Sequence, residues 1–197
     1  MRIVVTGTDE RLGRILADKL QAREDDVVKV SGSTTSDHVP SFENADAVLC
    51  TAGCDPEEDE TTGLADVDAT VKAAQAAGVL RYIRVSANGA FDPHLAEPDR
   101  QPFLQSQHEA EGAVRAPGLQ WTVVRPGTMT DDPETGRVHI QVYPDRCGAV
   151  SRGDVAEVVI ALIDKPWTMA MVLELWSGTD PIDQAINHTR DVPPFLG

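Results

Sequence analysis

Val4-Val5-Thr6-Gly7-Thr8-Asp9-Glu10-Arg11-Leu12-Gly13 decides how the rest of the chain is read. A short apolar strand at 3–5 runs into Gly7, and a helix covers about 10–22, with Ile15, Leu16 and Leu20 recurring at helical spacing. The Gly7-x-x-Glu10-x-x-Gly13 spacing is that of a strand-turn-helix turn whose backbone amides hold a pyrophosphate, except that its middle glycine is Glu10. A glycine there lets the backbone approach the phosphates, whereas a carboxylate repels them. Two like charges about 4 Å apart at an effective dielectric near 20 repel by roughly 4 kcal/mol, an upper figure for a solvated turn. Arg11 and Arg14 offset part of it. The plainer reading is a helix start with Asp9 as cap and Glu10 in the first turn, gaining about 0.3–1 kcal/mol from the helix dipole.

Working outward, strands are expected at 26–31, 46–51, 81–86, 121–125, 137–143 and 171–175. Helices are expected at 64–77, 103–115, 154–162 and 181–186, with Gly78 and Pro117-Gly118 as stops. Such alternation is the signature of a parallel sheet wrapped by helices. The fold class is therefore α/β, a Rossmann-like doubly wound parallel sheet, with 1–197 as one domain and no internal repeat or dividing linker. Only fourteen residues, 32–45, separate the second strand from the next. That segment is shortened to the length of one short helix.

At 197 residues with 41% hydrophobic content, the chain suits one well-buried domain. A net charge of -15 argues against nucleic-acid and anionic-membrane partners, since a phosphate backbone would be repelled. Cys50, Cys54 and Cys147 match neither a redox nor a zinc spacing and read as reduced, buried thiols. The five histidines lack ligand spacing, so no metal site is expected. No leader or membrane-length apolar run is evident, which reads as cytoplasmic. Trp121, Trp167 and Trp176 read as packing residues, and the acidic run at 55–60 as a solvated surface beside the ligand edge. The partner expected is a small-molecule substrate of unknown identity, with a homodimer left open.

Several segments in order resemble the atypical short-chain dehydrogenase/reductase superfamily. The branch is the small NAD(P)-binding one, with NAD-dependent epimerase/dehydratase-like proteins, flavin and biliverdin reductases and NmrA-type redox sensors. They are the glycine turn at 4–13, Ala47-Val48-Leu49-Cys50-Thr51-Ala52-Gly53, Ser86-Ala87-Asn88-Gly89-Ala90, 118–127, Thr130-Asp131-Asp132, Thr135-Gly136, and 151–156. The resemblance implies a cofactor, NADP or NAD, lying across the carboxyl ends of the strands, with binding weakened by Glu10. It places Gly7, Thr8, Arg11, Leu12 and Gly13 at the phosphates, Ala52 and Gly53 near the ribose, Ser86 at the nicotinamide end, and Pro126, Gly127 and Thr128 around the nicotinamide pocket. Ser33, among the small hydroxyls after the second strand, is the candidate for the adenosine ribose; a surface loop is the alternative.

The sequence also departs from that pattern. The superfamily's tyrosine and the lysine four residues later align with Phe103 and Gln107, which can neither transfer a proton nor carry charge. Ser86 and His108 are then the candidate catalytic residues, with Ser86 orienting the acceptor and His108 or water giving the proton. Ser86 could instead satisfy local backbone, and His108 could be an ordinary exposed helix histidine. Arg125 reads as half of a structural ion pair, and Asp154 as a support of the following helix. The expected function is an NAD(P)-dependent oxidoreductase or epimerase-like protein of unknown substrate. The alternative is a degenerate Rossmann module, a redox sensor or partner-binding protein, that binds dinucleotide weakly or not at all.

Overall fold

Strand β1 (Arg2–Thr6) lies inside an eight-stranded sheet, one strand in from its edge, with Ile3, Val4 and Val5 apolar on both faces and fully buried. The computed structural model describes residues 1–31, 39–56, 63–115, 117–143 and 148–193. Along the chain follow α1 (Arg11–Ala22), β2 (Asp26–Val30), α2 (Val39–Phe42), β3 (Ala47–Cys50), α3 (Gly63–Ala76) and β4 (Arg81–Val85). Then come α4 (Gln101–Val114), β5 (Gln120–Pro126), β6 (Met129–Thr130), β7 (Arg137–Gln141) and β8 (Val150–Ser151). The chain closes with α5 (Arg152–Ala161), β9 (Met171–Ser177), β10 (Asp180–Pro181) and α6 (Ile182–His188).

The sheet order is β10-β7-β9-β5-β4-β3-β1-β2. Pairing is parallel from β2 through β9 and antiparallel for β7 and β10. Strand alternation sends side chains to two layers. Ile3, Val5, Leu49, Ile83 and Val85 join Leu12 and Leu16 of α1 and Val155 and Val159 of α5 on one face. Val4, Val48, Tyr82 and Val123 join Val67 and Val71 of α3 and Ala110 and Val114 of α4 on the other.

The shortened segment accounts for the sheet's edge. Only the one-turn α2 is described between β2 and β3, and β3 returns to pair with β1 on the side opposite β2. The chain thus reverses direction across the sheet between β1 and β3, which opens a crevice at their carboxyl ends. Residues 32–38, including Ser33, and Cys147 lie outside the described residues. The small parallel sheet of β6 and β8 and the two-residue β10 have no counterpart in the sequence expectation. Strands of two residues are too short to carry a hydrophobic period.

Candidate functional site

Gly7 and Gly13 make the turn sterically specific. Gly7 adopts φ +77, and a Cβ there would stand 2.7 Å from the Ala52 amide nitrogen. A Cβ on Gly13 would lie 2.1 Å from the Gly7 carbonyl oxygen, so only glycine lets α1 start this close to β1. The Thr51 hydroxyl donates to Thr6 O at 2.8 Å and ties the end of β3 to the end of β1.

The N-cap of α1 is Glu10, not Asp9, and its side chain makes no capping hydrogen bond. This corrects the sequence expectation: the carboxylate reaches across the crevice, and Oε1 accepts the Gly53 N–H at 2.6 Å. Gly53, at φ +67, points that amide toward the turn. The Glu10 side chain therefore does not cap the first N–H groups of α1, which are the donors a phosphate uses at a helix start. Leu12 offers only its backbone, since its side chain is buried in the core. The Thr8 amide is spent on Val30 O at 3.3 Å.

Arg11 is not turned freely toward the turn. It pairs with Asp131 at 3.1 Å and lies 3.8 Å from Asp55. Arg152, 3% exposed, donates through Nε to Asp55 at 3.2 Å and through Nη1 to Asp131 at 2.7 Å. Two arginines thus neutralise two carboxylates beside the crevice. The cradle fits a dinucleotide pyrophosphate in backbone shape, and the Glu10 carboxylate opposes it.

A pocket of about 200 Å³ opens on the same carboxyl edge. Its walls come from Cys54, Asp55 and Pro56 after β3, Ser86, Ala87 and Asn88 after β4, Arg100 before α4, Pro126 at the end of β5, and Gly127, Thr128 and Met129 leading into β6. Burial, with help from nearby Glu10, pushes the Cys54 thiol well above its usual value, so it stays protonated.

Ser86 reaches the pocket wall but is fully buried, and its hydroxyl donates to Glu111 Oε1 at 2.7 Å. Arg125 grips the same carboxylate through Nε at 2.8 Å and Nη2 at 2.6 Å, and donates through Nη1 to Glu174 at 3.2 Å. Asn88 Nδ2 donates to the other Glu174 oxygen at 2.7 Å. Burial raises the Glu174 pKa, opposed in part by Arg125 and Asn88. The Ser86 proton is committed to this network, and Arg125 is the structural ion-pair residue the sequence suggested.

His108 stands exposed on α4, with Nδ1 donating to Ala90 O at 2.8 Å, and it is not part of the pocket wall. Phe103 packs with Ala87 and Leu104. Gln107 is buried and bridges, accepting from Arg84 Nη2 at 2.8 Å and donating to Gly53 O at 2.7 Å. Gly53 is therefore held through its N–H by Glu10 and through its carbonyl by Gln107. Asp154 accepts the amides of Thr135 and Gly136 at 3.0 and 2.7 Å, while its own N–H donates to the Ser151 cap at 3.0 Å. It supports its helix, as expected, and also fixes the turn before β7.

Sequence reasoning missed Arg84, Gln107 as a bridge, Arg100, Asn88 and the Asp55-Arg152 pair. Arg84 did leave a signal: an arginine on a strand expected inside a parallel sheet, where both faces are covered.

A sheet that reverses between β1 and β3, with a glycine turn at the reversal and a pocket two strands away, defines an open α/β domain of the dinucleotide-binding class. Sequence comparison agrees, the profile described as NAD(P)H-binding matching residues 11–166. The chain belongs to this NAD(P)H-binding family. A Bacillus subtilis protein described as an uncharacterized sugar epimerase, YhfK, is 35% identical over 145 residues, covering 72% of this chain and 67% of that one. A Bacillus halodurans structure described as an NAD-dependent epimerase/dehydratase superposes with TM-score 0.86 at 24% identity, covering 95% of this chain and 99% of the other. A Veillonella parvula short-chain dehydrogenase/reductase in complex with NADP gives TM-score 0.69 at 16% identity, covering 89% and 94%. Among the described residues no helix is long and apolar enough to cross a membrane.

Proposed function

We propose that the protein is an NAD(P)-dependent oxidoreductase of the epimerase/dehydratase-like kind, acting on a small molecule in the pocket beyond β4 and β5. One observation carries the reading: the glycine turn and the pocket open on the same edge of one sheet, at the ends of β1 and of β4 and β5. In the order β5-β4-β3-β1, with strands about 4.8 Å apart, the two ends of that span are on the order of 14 Å apart. A dinucleotide held at the turn would have Ala52 and Gly53 beside its ribose and the pocket residues beside its nicotinamide.

The Gly7 to Gly13 backbone and the start of α1 hold the phosphates, and Ala52 and Gly53 border the ribose. Pro126, Gly127 and Thr128 wall the ring's end. When bound, the cofactor supplies or accepts the hydride. Thr128, exposed on the pocket wall, is the hydroxyl available to hydrogen-bond an acceptor oxygen, since the Ser86 proton is held by Glu111. With Phe103 in the tyrosine's place, the proton that accompanies hydride comes from water in the open pocket.

The other reading, a module that keeps the sheet without the chemistry, draws on the Glu10 contact with Gly53. Calorimetric titration with NADPH and NADH separates the two. Binding at micromolar cofactor, followed by NADPH oxidation with carbonyl compounds, supports the enzyme; no binding of either cofactor at millimolar concentration overturns it.

A further inference from the structure

We infer that the pocket selects a substrate bearing an anionic group, a carboxylate or a phosphate, and that Arg100 recognises it. This rests on the functional reading above and names the substrate class for the same site. The chain carries a net charge of -15, and among the described residues its cations are nearly all engaged. Arg11, Arg125 and Arg152 are in ion pairs, Arg81 and Arg84 are in buried hydrogen bonds, and the four lysines each meet a carboxylate. Among the described residues, Arg100 is a guanidinium with no hydrogen bond, ion pair or ring contact, although Glu97 and Asp99 stand close by in sequence. It is exposed, and it lines the pocket.

Three further features agree. The pocket's carboxylate, Asp55, is already neutralised by Arg152, so it does not cancel the charge of Arg100. Arg100 is also the N-cap of the fourteen-residue α4 and makes no side-chain cap, which puts the positive end of that helix at the same rim. The volume of about 200 Å³ lies below the roughly 300–1,000 Å³ of most ligand pockets, which suits a compact molecule of a few carbons. In a strongly acidic protein a lone cation at a pocket mouth concentrates the field there, and its planar fork matches a carboxylate or phosphate.

The test is calorimetric titration of the full chain, without cofactor, using 2-oxobutyrate for a carboxylate and dihydroxyacetone phosphate for a phosphate. Butan-2-one and dihydroxyacetone are the neutral counterparts. At least one anion is expected to bind, its neutral counterpart to bind about tenfold or more weakly, R100Q to lose about that factor, and R100K to recover part of it. Which anion binds identifies the source of the charge. NADPH affinity, measured separately, is expected to be the same in wild type and R100Q. Equal binding of an anion by wild type and R100Q, equal binding of anion and neutral counterpart, or no binding of either anion to wild type overturns the inference. Failure of wild type to bind NADPH, with anion binding intact, instead overturns the oxidoreductase reading and leaves the anion site standing.

Discussion

Replacing Glu10 by glutamine removes one charge from the glycine turn while keeping an oxygen that can accept the Gly53 N–H. The carboxylate sits 2.6 Å from that nitrogen, inside the crevice where the pyrophosphate is placed. At about 5 Å between charge centres and an effective dielectric near 20, the repulsion is roughly 3 kcal/mol. Glu10 is half-buried, so solvent and counterions remove about half of it, leaving about 1.5 kcal/mol, or close to tenfold in Kd. NADPH affinity of E10Q is therefore expected to exceed that of wild type by about tenfold at low salt, with the gap narrowing near 1 M salt, where the screening length falls to about 3 Å. Folding stability should move the other way by about 1 kcal/mol, because a hydrogen bond to a charged acceptor is replaced by one to a neutral amide. Fluorescence titration of NADPH at two salt concentrations reads the first effect and urea denaturation the second. Equal or weaker NADPH binding by E10Q at low salt would refute the reasoning, since the carboxylate would then not compete with the phosphates.

Three more perturbations test other parts of the structure. Gly13→Ala forces a Cβ to within 2.1 Å of the Gly7 carbonyl and is expected to cost about 3 kcal/mol or more, read as a lowered urea midpoint; a midpoint like wild type would mean that α1 can shift freely. Arg125→Met leaves the Glu111 and Glu174 carboxyls buried without their shared cation, for an expected loss of about 3–5 kcal/mol, and a loss under about 1 kcal/mol would show the network to be dispensable. Glu174 ionises less readily folded than unfolded because it is buried, so it binds its proton more tightly in the folded state. Its contribution is fully present below the ordinary value of 4.5 and is lost as pH rises through the folded value. Urea midpoints at pH 4.5, 5.5 and 6.5 should therefore fall more, or rise less, in wild type than in E174Q, and parallel curves would contradict the assignment.

Most of the fold was legible because each central strand is a short apolar run stopped by Gly, Pro or a polar turn. Residues 81–86 were expected as a strand and β4 spans Arg81–Val85; residues 10–22 were expected as a helix and α1 spans Arg11–Ala22. The fourteen-residue interval before β3 announced the short α2. The site was legible only in its backbone. Glycines declare themselves through spacing, and Gly7 and Gly13 stand where spacing put them. The polar side chains depend on partners far along the chain: Ser86 meets Glu111, Arg152 meets Asp55, and Gln107 meets Gly53. No local pattern encodes those pairings. Glu10 shows the limit most clearly, since a capping argument uses neighbours within four residues and the carboxylate instead found an amide 43 residues away.

The most direct test of a cofactor laid along this edge is a crystal structure of the protein soaked with NADPH. Density is expected with the pyrophosphate over Gly7 to Gly13, Glu10 drawn away from Gly53 N–H, and the nicotinamide against Pro126, Gly127 and Thr128. Density elsewhere on the chain, or an empty crevice at saturating NADPH with Glu10 still on Gly53, would contradict it.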